Sequence, residues 1–129
     1  MSQTGDCEIR LTRTYPAAPA AVWAVLTEPE SLGRWFAPAG EIELAPGGSF
    51  EVGRVRARVR AVEPERVLEL DWIQPGEDAS IVRFELIPAG DGTRLVLDHT
   101  RVREPIGMKY IARWTVTLER LESELRSVR

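Results

Sequence analysis

One cysteine and one histidine stand in 129 residues. A single cysteine excludes an internal disulfide and any cysteine-rich zinc site, and a single histidine excludes HExxH and histidine-cluster metal centres. Cys7 has no local base beside it, which leaves it without the makings of a nucleophile. A P-loop, a GxGxxG after a strand and a GxSxG elbow are all absent, so the nucleotide-binding and hydrolase motifs that carry their own mechanism are missing. There is no basic surplus: the formal net charge is −3, with 29% charged residues of both signs. That balance offers no electrostatic reason to expect DNA, RNA or an anionic membrane as partner. The apolar runs are too short to span a bilayer, and the start "MSQTGDCEIR" has no basic stretch followed by an apolar one, so the expected location is the cytoplasm. A chain of this length buries about two-thirds of its unfolded surface as one ordinary domain.

Residues 1–7 are expected to form a mobile lead-in, with one domain over 8–129. "EIRLTRTY" alternates as a half-buried strand ending near Tyr15. "AAPAAVWAVLTEP" has Pro19 suited to a first helical turn and Val22, Val25 and Leu26 at helical spacing; a second short helix starts at Pro29 and stops near Pro38. Then come six strand-like segments, Glu41–Ala45, Ser49–Gly53, Arg54–Val62, Val67–Ile73, Ser80–Pro88 and Thr93–Arg101, divided by turn clusters such as "PGG", "PGED" and "AGDG". Gly53 marks either a tight turn between the second and third of these or a bulge within one longer strand. The last segment changes period: Ile111, Trp114, Leu118, Leu121 and Leu125 share one stripe of a helix of about twenty residues starting near Pro105. The reading is α+β, a long helix across one face of an antiparallel sheet.

"RVRARVRA" at 54–61 alternates arginine with valine or alanine. As a strand it puts Arg54, Arg56, Arg58 and Arg60 on one face, with Val55, Ala57, Val59 and Ala61 on the other. Neighbouring strands alternate in the same way and carry Glu51, Glu69, Asp71 and Glu85 outward. A solvated, ion-paired face follows, and not a nucleic-acid stripe, which would interleave aromatics with the basic residues.

The inner face collects Phe50, Trp72, Phe84, Leu95 and Leu97 from strands and Ile111, Trp114 and Leu118 from the helix. His99 shares the inward parity of Leu95 and Leu97. In order and separation, "YPAAPAAVWAVLTEPESLGRWFAP", "APGGSF", "RVLELDW", "TRLVLDHT" and "RWTVTLERLESEL" resemble the SRPBCC or START-like superfamily, in particular its branch similar to the Hsp90 ATPase activator homologue domain (AHSA1-like). The resemblance runs from about Glu8 to Leu125. It implies a helix-grip fold: a curved antiparallel sheet of six or seven strands around a long carboxy-terminal helix, two short helices after strand one, and a hydrophobic cavity between sheet and helix. By position, Trp35, Phe36, Phe50, Trp72, His99 and Trp114 match the family pattern. "RVREPIGMKY" lacks the glycine-and-phenylalanine phrase often found after the histidine in this branch. The amino-terminal partner domain of true Hsp90 activators has no counterpart in these residues, so the resemblance does not imply a co-chaperone role.

The leading expectation is a binding protein for a small apolar or amphipathic molecule, such as a lipid, with no cofactor and no metal. Its expected ligand-binding residues are Trp35, Phe36, Phe50, Trp72, Phe84, Leu97, His99, Tyr110, Ile111 and Trp114, the aromatics supplying buried area and His99 or Tyr110 an orienting hydrogen bond. No residue is assigned as catalytic. An alternative is a cyclase or hydratase with His99 as acid or base on a bound carbonyl compound, helped at most by Tyr110 and Thr115. Another is a protein-interaction module, stress-related or Hsp90-related, or a homodimer; the aromatics of "GRWFAP" would then face solvent. The plainest reading of His99 is a satisfied core residue.

Overall fold

The computed structural model describes residues 6–127. β1 (Asp6–Tyr15) leads into α1 (Pro19–Thr27) and α2 (Pro29–Trp35). They are followed by β2 (Ala39–Ile42), β3 (Ser49–Val52), β4 (Val55–Glu63), β5 (Val67–Trp72), β6 (Ser80–Ala89), β7 (Gly92–Arg103) and α3 (Glu104–Ser127). β1 begins two residues ahead of the expected Glu8, taking Cys7 into the strand. The rest of the expected lead-in, residues 1–5, lies outside the described residues.

The seven strands form one antiparallel sheet in the order β1-β7-β6-β5-β4-β3-β2. From β2 to β7 each strand pairs with the next in the chain, as short turns allow. Only β1 has crossed to the far edge beside β7, and α1 and α2 occupy that crossover. Each short helix opens on a proline, whose missing N–H costs nothing in a first turn. The sheet curves around α3 in the helix-grip arrangement, so the α+β architecture expected from the sequence is the one the chain adopts.

Two local features adjust the expected facing of residues. Gly53, at φ +58°, and Arg54 form the two-residue connection between β3 and β4, which settles Gly53 as a turn. A bulge lies further on, where the β4–β5 register shifts between Val59 and Ala61. It turns Ala61, expected inward, to face Glu69 on the outer side, and brings Val62 opposite the buried Leu68. In β7, Arg101 adopts φ +60° opposite a register shift between Cys7 and Ile9 of β1, so His99 and Val102 are both buried, three residues apart.

α3 follows β7 with no loop between them. Gly107, Tyr110, Trp114, Thr117, Leu118, Leu121 and Leu125 are buried along it. Ile111 was expected on this stripe and is instead 44% exposed. A strict seven-residue spacing drifts about 20° per heptad around a straight helix, so Ile111 has rotated to the stripe's edge and Tyr110 takes its place. On the outer face Arg60 lies 2.8 Å from Asp71 and 3.7 Å from Glu69, and Arg10 contacts both carboxylate oxygens of Asp98 at 2.7 and 3.2 Å. In register, Arg10, Asp98, Arg83 and Glu69 alternate in sign across β1, β7, β6 and β5. Among the described residues no helix is long and apolar enough to cross a membrane.

Candidate functional site

The aromatic side chains are few, yet six of nine meet in one place. Strand alternation points Trp72, the last residue of β5, and Phe84 of β6 inward. The first half of α3 lays Tyr110 and Trp114 over them, and the end of α2 delivers Trp35 and Phe36 from the other side. The Phe36 ring lies parallel to Trp72, with centroids 5.8 Å apart and planes within 3°. It also stacks on Trp35 at 5.6 Å and leans on Trp114 at 5.7 Å. Phe84 meets Trp114 edge-on at 6.0 Å. Offset and edge-to-face pairs of this kind each contribute about 0.5–1.5 kcal/mol beyond the area they bury.

His99 stands against this cluster, fully buried, 4.4 Å from the Tyr110 ring in an edge-on contact. Its two nitrogens are both engaged. Trp114 Nε1–H donates to Nδ1 at 3.0 Å, and Nε2 lies 2.7 Å from Ser80 Oγ. An indole N–H can only donate, so Nδ1 holds a lone pair and the proton of the neutral ring sits on Nε2, facing Ser80. A serine–histidine pair at this distance invites comparison with a nucleophile and its base. Here the tautomer is the wrong one, because Nε2 already carries a proton and cannot take another from Ser80. Burial pushes the His99 pKa down from 6.5 to about 4, so the ring is neutral near pH 7.

A second polar group closes the cluster towards solvent. Tyr110 Oη accepts from Trp72 Nε1–H at 3.3 Å and donates to Glu77 Oε1 at 2.5 Å, with Gln74 Oε1 3.2 Å away. Burial first, then the Glu77 hydrogen bond, hold the phenol well above its ordinary pKa, keeping it a neutral donor. Glu77 and Gln74 come from the loop between β5 and β6, which thereby ties that loop to α3. The other buried indole, Trp35, donates to Val25 O at 2.8 Å. The ring nitrogens of Trp35, Trp72 and Trp114 are therefore all satisfied without a ligand.

Phe36, Trp72, Tyr110, Arg113, Trp114 and Thr117 line a crevice between sheet and helix of about 150 Å³ in all, with no room for a water-sized sphere. Of the residues expected to bind a ligand, Phe36, Trp72, Tyr110 and Trp114 line this crevice. Trp35, Phe84 and His99 back it through ring contacts. Phe50 and Leu97 are buried in the wider core and are not among its lining, and Ile111 points to solvent. Thr115 spends its hydroxyl on Ile111 O of its own helix. Sequence reasoning missed Ser80, Gln74, Glu77, Arg113 and Thr117. Ser80 shares the parity of Val82 and Phe84 and was within reach of the alternation argument; Gln74 and Glu77 stand in a turn that has no period to read.

Residues 16–126 match the family described as "Activator of Hsp90 ATPase homolog 1-like protein". No curated protein matches the chain. Among solved structures, CalU16 from Micromonospora echinospora is 29% identical over 93% of this chain and 76% of its own, with a TM-score of 0.86. DynU16, described as a putative protein in the dynemicin biosynthetic locus, is 22% identical with a TM-score of 0.83, covering 95% of this chain and 48% of its own. An HSP90 activator from Plasmodium falciparum, PFC0360w, is 22% identical with a TM-score of 0.66, over 74% of this chain and 73% of its own. The last two likenesses are of fold.

Proposed function

From a chain that belongs to the Activator of Hsp90 ATPase homolog 1-like family, we propose a cytoplasmic protein that binds a small apolar or amphipathic molecule between its sheet and α3. The observation that carries this reading is the crevice itself: an aromatic-walled gap whose polar edge is Tyr110, bonded to Glu77, together with Arg113 and Thr117, and whose Phe36 wall is only partly buried. Pockets for small molecules are largely apolar with a few placed polar groups, and this edge supplies them. Binding opens the crevice, because no water-sized space exists in its closed form. His99 serves as a rigid back wall. Having neither a free lone pair nor access to a ligand, it gives the cyclase or hydratase reading no base.

The test is native mass spectrometry of gently purified protein, followed by titration of candidate ligands against its tryptophan fluorescence, three of the four indoles lying in the cluster. A co-purifying small molecule, or saturable one-to-one quenching, is the expected result. Absence of both over a broad set of apolar compounds would remove the reading. A second reading, self-association, draws on Met108, Ile111 and Val116, which are 80%, 44% and 48% exposed on one side of α3. Light scattering across a concentration series decides it, a constant monomer mass counting against it.

A further inference from the structure

Phe36 differs from every other ring around it. Trp35, Trp72 and Trp114 are at most 2% exposed and each indole N–H is hydrogen-bonded. Phe36 is only half-buried, has no polar anchor, and stands in the three-residue connection between α2 and β2. Its own N–H and that of Ala37 bond back to Leu32 O, and Pro38 O accepts from Gly53 N–H, so the backbone is held while the ring is not. Rotation of the Phe36 side chain therefore breaks ring contacts and no hydrogen bond. Those contacts have a definite shape: one face of Phe36 lies flat against Trp72 while Trp35 and Trp114 border it.

We infer that Phe36 is a built-in occupant of the ligand's place, and that the molecule it gives way to is a flat aromatic ring system. The inference rests on the binding reading above and narrows it to a ligand class. The place of the Phe36 ring, parallel to Trp72 within 3° and stacked on Trp35 at 5.6 Å, accepts another planar ring with little rearrangement. A bent, saturated molecule of equal size would splay the indoles. A fused two-ring compound places one ring where Phe36 was, and its second ring parts the adjoining crevice, whose closed form has no room for a water-sized sphere. Phe36 thus keeps the core dry in the unliganded protein and sets the threshold for binding, since every ligand must first displace it.

The experiment compares wild-type protein with Phe36→Ala by titration calorimetry, using 2-naphthol and its saturated, non-planar counterpart decahydro-2-naphthol. Phe36→Ala is expected to bind 2-naphthol at least about tenfold more tightly than wild type, with a gain for the saturated alcohol below about threefold. Equal gains for the two alcohols would overturn the flat-ring assignment while leaving the binding reading intact. Equal naphthol affinity in wild type and variant would overturn the role of Phe36 as occupant. Absence of binding to either folded protein would sink this inference, while the binding reading is still judged by its own mass-spectrometric test. Thermal melts check folding, and if Phe36→Ala is unfolded, Phe36→Val, which still vacates most of the ring's space, takes its place under the same criteria.

Discussion

The two faces of the sheet use polar residues in opposite ways. The outer face carries many charges, partly exposed and set opposite one another in register, so that no single pair matters much. Exposed ion pairs are worth about 0–1 kcal/mol because water competes for both partners. The inner face carries very few polar atoms, each buried and each engaged: His99 between Ser80 and Trp114, Tyr110 between Trp72 and Glu77. There a lost partner leaves a donor or acceptor stranded away from water, which costs about 1–3 kcal/mol. The alternating charges outside are thus easier to change than one histidine inside, a contrast that mutation can test directly.

The largest effect is expected at Trp114. Trp114→Ala removes a buried indole and leaves His99 Nδ1 without its donor, and a denaturant melt should show a loss of about 3–5 kcal/mol. A change near zero would mean that the cluster is not packed as described.

Acid should come next. The folded protein holds His99 at a pKa of about 4, while the unfolded chain takes up the proton near 6.5. Above pH 6.5 both states are neutral and nothing is lost. As pH falls from 6.5 towards 4, the unfolded state alone gains a proton, so stability declines by roughly 3 kcal/mol across that window. Carboxylates titrate there as well, so the comparison is with His99→Gln, which can accept from Trp114 and donate to Ser80 but does not titrate. Its stability should fall less steeply between pH 6.5 and 4; parallel curves would show that His99 is not held neutral.

Tyr110→Phe keeps the ring and deletes the hydroxyl. It should cost about 1–2 kcal/mol by melt, because Trp72 Nε1–H and Glu77 lose their common partner. A double-mutant cycle on Arg60 and Asp71 should give the smallest value, about 0.2–1 kcal/mol, reduced further by salt. A coupling above about 2 kcal/mol would erase the distinction between the faces. Arg56→Glu with Arg58→Glu should likewise leave the fold standing, and salt-sensitive nucleic-acid binding by wild type that this double variant loses would overturn the reading of the stripe.

Alternation and helical spacing are local properties, and they were enough to specify most of the architecture. Strands with period two, prolines at Pro19 and Pro29, and a change of period near Pro105 are written in neighbouring residues, so the strand segments and three helices were legible without coordinates, Gly53 alone leaving six strands or seven open. The inward parity of His99, Trp72 and Phe84 came from the same source. What depended on tertiary structure was anything set by two distant segments together. The bulge that turned Ala61 outward appears only once β4 is paired with β5, and the drift that exposed Ile111 only once α3 is laid on the sheet. The tautomer of His99 follows from Trp114, fifteen residues away on another element, and the Tyr110 anchor from a turn with no period at all. A sequence dictates which face each side chain takes within its own element; which atoms then meet depends on register and helix rotation, and those are decided where the elements pack.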